Sequence, residues 1–81
     1  MNREELLSAV EALVEDELVE DGATPLEKHI ARETIYDFIG SITDEDTQEV
    51  VDQLCVECMD ETKKSRAAAQ LSEYIRILVP E

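Results

Sequence analysis

The sequence has no tryptophan and few other aromatic rings: Tyr36, Phe38 and Tyr74. Large side chains are scarce, so any core must be built from Leu, Ile, Val and Ala. Glycine and proline number two each, so there is no low-complexity linker and each of the four is a candidate boundary. Two cysteines are too few for a disulfide scaffold. No apolar run approaches the roughly 20 residues of a membrane span. The first residues, MNREELL, offer neither a basic head nor a long apolar stretch, so no signal peptide is expected and the chain reads as soluble and cytoplasmic.

The scarcest resource is positive charge. Seven Lys and Arg stand against 21 Asp and Glu, a formal net charge of −14. That balance repels nucleic acid and anionic lipid, so direct binding to either is disfavoured. It suits a basic protein surface, or life in concentrated salt. Eighty-one residues form a single acidic helical domain, 1–81, with a modest core. Self-association would add buried area, which makes a homodimer an alternative state.

What remains is helical in pattern. Asn2 and Glu5 have capping-box spacing, and Leu6, Leu7, Val10, Leu13, Val14 and Leu18 then recur at three- and four-residue steps, up to a stop at Gly22. Thr24-Pro25-Leu26-Glu27 is the sharpest start signal: a capping Thr, a Pro at the first helical position, and Glu three residues after the cap. Leu26, Ile30, Ile35, Phe38 and Ile39 are the expected buried face of this second helix, with Gly40 at its end. Thr43 is the expected cap of a third helix, whose apolar face is Val50, Val51, Leu54, Cys55 and Cys58. A polar gap from Asp60 to Arg66 follows, and then a stripe of Ala67, Ala68, Leu71, Tyr74, Ile75 and Leu78 that ends before Pro80. A helix running unbroken from 44 to 78 would be about 52 Å long, too long for a compact domain of this size. The spacing therefore predicts a break near residues 60–65. The fold class is all-α, a compact bundle of three or four short amphipathic helices.

The acids are unevenly placed. Residues 44–61 carry eight acids and no base, and residues 1–22 carry eight acids and one base, whereas residues 62–81 are net positive. Asp46, Glu49, Gln53, Glu57 and Asp60 fall on one helical stripe, with Asp52 nearby. Glu4, Ser8, Glu11 and Glu15 form another on the first helix. Part of this charge has a structural use, because acids in a first turn meet the positive end of the helix dipole. A solvated face ordinarily mixes both signs, since like charges four apart repel by a few tenths of a kcal/mol. The candidate partner-binding residues are therefore Glu11, Glu15, Asp46, Glu49, Asp52, Glu57 and Asp60.

Other chemistry finds little support. Cys55-Val56-Glu57-Cys58 is a CxxC, but it sits far from a helix N-terminus and among acids that raise a thiol pKa, so both cysteines read as small buried hydrophobes. Zinc would need both thiols, His29 and a carboxylate from distant helices, without a second CxxC or an HxxxH. A calcium loop beginning at Asp44 has Glu49 and Cys55 where Gly and Glu are required. Small size, acidity and a serine ahead of an acidic helix resemble acyl carrier proteins, whose attachment site is Asp-Ser-Leu; here the triplet is Gly40-Ser41-Ile42, without the Asp. No cofactor and no metal are expected, and no nucleophile–base arrangement is present.

The expected function is a non-enzymatic inhibitor or adaptor that binds a basic protein surface. In its sharpest form it is a nucleic-acid mimic from a mobile element, occupying the basic groove of a host complex. The alternatives are a homodimeric regulator or antitoxin-like module, and an ordinary subunit of a halophile that is acidic for solubility in salt.

Overall fold

The computed structural model describes residues 2–15 and 24–79. Four helices form: α1 (Arg3–Val14), α2 (Pro25–Gly40), α3 (Glu45–Glu57) and α4 (Lys64–Leu78). The radius of gyration is 12.0 Å, close to the roughly 12 Å of a compact chain of this length. No described helix is long and apolar enough to cross a membrane.

Local chemistry sets the helix starts. Asn2 Oδ1 accepts from the Glu5 amide at 2.7 Å, and Thr24 Oγ1 accepts from the Glu27 amide at 3.1 Å. Each satisfies one of the amides that a first helical turn leaves without a partner. The third start differs by one residue from the expectation: Asp44, not Thr43, is the cap, and its Oδ2 accepts from the Thr47 amide at 3.0 Å. A carboxylate is the stronger acceptor at the positive end of a helix. The Thr47 hydroxyl donates to the same oxygen, and this bond, with the amide bond second to it, holds the Asp44 carboxyl below its ordinary range.

The expected break falls between Glu57 and Lys64. Cys58 is the C-cap of α3, so the CxxC closes the helix at its C-terminal end. Short turn bonds follow, Met59 N to Val56 O at 3.1 Å and Asp60 N to Glu57 O at 3.0 Å. The Asp60 carboxylate then accepts from the Thr62 amide at 2.9 Å and its hydroxyl at 2.7 Å. An Asx-type turn of this kind offers the backbone an alternative to continuing the helix. α1 stops at Val14, ahead of the run Glu15-Asp16-Glu17, whose charges are unfavourable at the negative end of a helix dipole. The expected core residue Leu18, the stop at Gly22 and Pro80 lie outside the described residues.

One core joins all four helices. Leu6, Val10, Ile35, Val51, Cys55, Cys58, Leu71 and Ile75 are almost wholly buried, and among the described residues no polar or charged side chain is buried with them. Four residues expected on the apolar faces are exposed instead. Leu26 and Ile30 are 67% and 53% exposed, because α2 turns Ala31, Ile35, Phe38 and Ile39 inward and the other two lie more than about 100° around a helix of 3.6 residues per turn. Ala31 and Ala9, both buried, line the seam between α1 and α2, where small side chains permit close backbone approach. Val50 is exposed for the same reason of phase, one residue off the Val51–Leu54–Cys55 stripe. Leu78 is also exposed, in the last turn of α4 and beyond the fully buried Ile75.

The helices form a ring. α1 packs against α2 and α4, α3 packs against the same two helices, and no Cα of α1 comes within 8 Å of α3. The two acidic helices therefore occupy diagonal corners.

Candidate functional site

α3 presents its solvent side through Glu45, Asp46, Glu49, Asp52, Gln53 and Val56, all exposed. Side chains three and four apart on such a face are neighbours at about 5–6 Å. Among the described residues the ion pairs are His29–Glu33 at 3.2 Å, Lys64–Glu61 at 3.4 Å and Arg76–Glu73 at 3.4 Å. None of them reaches a carboxylate of α3. Lys64 and Arg76 pair with their own neighbours, and no ion pair of the described residues neutralises the open face of α3.

The candidate residues do not form one patch. Asp46, Glu49 and Asp52 share the open face of α3. Glu57 is half-buried and lines a shallow hollow with Lys63 and Arg66, so its field is the most offset of the set. Asp60 is exposed, but its carboxylate is held by Thr62, chiefly through the hydroxyl and then the amide, and these bonds keep its pKa below the ordinary value. It serves the α3–α4 turn. Glu11 is exposed on α1, diagonally across the bundle, and a flat partner that covers α3 does not reach it. Glu15, exposed just beyond α1, lines a cavity of about 320 Å³ with Cys58, Met59, Glu61 and Lys64, at the far end of α3 from Asp46.

Two apolar residues sit within the acidic face. Val56 is 47% exposed, one turn beyond Asp52, and Val50 is 43% exposed beside Glu49. The sequence signal for Val56 was available: it follows Glu49 by seven residues and so repeats on the same stripe.

The thiols are closed to solvent. Burial pushes Cys58 up to about 11, with Cys55 and Glu57 adding to the effect. Burial also raises Cys55, with Asp52 adding to it and a hydrogen bond from Tyr36 opposing it. Ser41 Oγ donates to the Phe38 carbonyl at 2.6 Å, which makes it part of the α2 C-terminal turn. His29 stands on the surface beside Glu33. Among the described residues, no three His, Cys, Asp or Glu side chains come together as a metal site.

Comparison with protein-family models, with curated proteins and with solved structures finds no match to this chain.

Proposed function

We propose that this chain is a small non-enzymatic inhibitor or adaptor that seats the acidic face of α3 on a basic protein surface. The observation that carries the proposal is the composition of that face: four exposed carboxylates, Glu45, Asp46, Glu49 and Asp52, with no base of the described residues in ion-pair contact, and exposed valines in their midst. Uncompensated charge steers a cationic partner, and apolar side chains within it supply the desolvated contacts that a protein–protein interface requires.

The sharper form of the proposal is a nucleic-acid mimic, of the kind a mobile element directs at a host defence complex. A 13-residue helix is about 20 Å long at 1.5 Å per residue, and a nucleic-acid strand places a phosphate every 3.4 Å or so of axis. Counting Glu57, α3 carries five carboxylates over that length, a comparable linear density. The non-enzymatic part rests on the state of the reactive groups: both thiols are buried with raised pKa values, and Ser41 is engaged with the backbone.

The test is capture from an extract of the source cell on immobilised chain, eluted with a salt gradient, beside the same experiment with Glu49→Lys and Asp52→Asn combined. The proposal expects a nucleic-acid-binding protein that the wild type retains, that added DNA or RNA displaces, and that the variant fails to hold. Retention of the same proteins by both chains would overturn it.

A further inference from the structure

A second surface lies away from α3, along the seam of α1 and α2. A groove of about 610 Å³ opens there, and α3 contributes no residue to it. Its floor is apolar, with Ala9, Ala31 and the half-exposed Ile30, and Thr34 lies further along the same helix. Its rim is Glu4 and Glu5 from α1 and Glu27 from α2, and no lysine or arginine of the described residues lines it. Leu26, one turn before Ile30, extends the apolar strip towards the start of α2 at 67% exposure. The folding of the bundle does not use these two large side chains, because Ala31 takes the inward position.

We infer that this groove is a docking site for a basic amphipathic helix of another protein. The seam between two packed helices suits helix-in-groove recognition, in which apolar anchors at three- and four-residue spacing enter a hydrophobic channel. Charge complementarity selects the occupant. An anchor row on Ile30 and Ala9 brings the flanks of the guest helix against three carboxylates, so lysines or arginines there are favoured. A second copy of this chain is the poorer guest: in a two-fold interface a patch meets itself, and Glu4, Glu5 and Glu27 would face their own copies. The inference goes beyond the α3 reading, since it uses other helices and a different kind of contact.

The experiment is an NMR titration of the ¹⁵N-labelled full chain with a synthetic leucine–lysine amphipathic helix, and with its leucine–glutamate counterpart. The site predicts amide shifts concentrated at Ser8, Ala9, Ile30 and Thr34 with the lysine peptide alone. Ile30→Ser, at an exposed position, weakens the affinity by about tenfold, the effect of losing one well-buried anchor. Glu4→Gln, Glu5→Gln and Glu27→Gln together weaken it and flatten its salt dependence. Glu49→Lys with Asp52→Asn leaves it unchanged. Shifts that map to α3, equal binding of the glutamate peptide, no shifts at millimolar peptide, or undiminished affinity after Ile30→Ser would each overturn the inference. So would a sedimenting dimer that Ile30→Ser dissociates, because the groove would then be occupied by a second copy.

Discussion

Gln48 Nε2 donates to the carbonyl of Ile39 at 3.0 Å and so ties the first turn of α3 to the last turn of α2. The Ile39 carbonyl also accepts from the Ile42 amide at 3.1 Å, so this part-buried side chain adds a second bond at the end of α2. The bond holds the start of α3 against the end of α2. Gln48→Met keeps the side-chain length and removes the donor, and is expected to lower stability by about 1–2 kcal/mol. Gln48→Glu is expected to be worse at neutral pH, because a carboxylate then faces the negative end of α2. Urea unfolding of the two variants checks the order.

The core is small and aliphatic, so single deletions bear heavily on it. Leu71 is fully buried at the centre of α4. Leu71→Ala is expected to cost about 3 kcal/mol, a large share of the roughly 4–12 kcal/mol typical of a domain this size. Thr24→Ala, which removes the α2 cap, is expected to cost about 1 kcal/mol. Thermal melts followed by circular dichroism should rank the two clearly.

Helix existence was legible in the sequence because its signals are local. Asn2, Thr24-Pro25 and the acids after Thr43 are cap chemistry, and the polar gap after Cys58 gave α3 nothing to pack. The phase of α2 was not legible. Ile30 and Leu26 look more apolar than Ala31, yet the close approach of α1 selects the smaller side chain for the inside. The cap of α3 was off by one residue because Thr43 and Asp44 are both competent, and only the Thr47 contacts distinguish them. The division of the acidic surface was also invisible. Which helices are diagonal is a property of the packed ring, and no spacing along the chain encodes it.

The buried thiols predict both reactivity and pH dependence. Neither Cys55 nor Cys58 should react with an alkylating reagent in the native protein at neutral pH, and both should react in urea. Cys58 ionises ordinarily at 9.0 and in the fold at about 11. The folded chain therefore holds this proton where the unfolded chain has lost it. The associated stability is complete below pH 9 and declines as pH rises toward 11. Cys58→Ala should flatten that alkaline decline relative to wild type in a series of urea melts. Asp44 acts at the opposite end: its lowered pKa means that the stability linked to it is present above the ordinary carboxylate pKa and is lost as pH falls through the folded value.

The acidic face should burden the free protein. Glu45 and Glu49 are four apart, and Glu49 and Asp52 three apart, with no base between them. Combining Glu49→Lys with Asp52→Asn removes these repulsions and is expected to raise stability by about 0.5 kcal/mol at low salt. The gain should shrink as salt screens the wild type. A wild type that folds only in molar salt would instead point to a halophile's adaptation, with no partner needed to explain the charge.

The most direct test measures the affinity of the captured partner for wild type and for the Glu49→Lys, Asp52→Asn chain across a range of salt concentrations. The account predicts that wild-type affinity falls steeply and linearly in logarithmic terms as salt rises, and that the variant binds far more weakly with a clearly shallower slope. Equal affinity and equal slope for the two chains would show that the open face of α3 is not what the partner recognises.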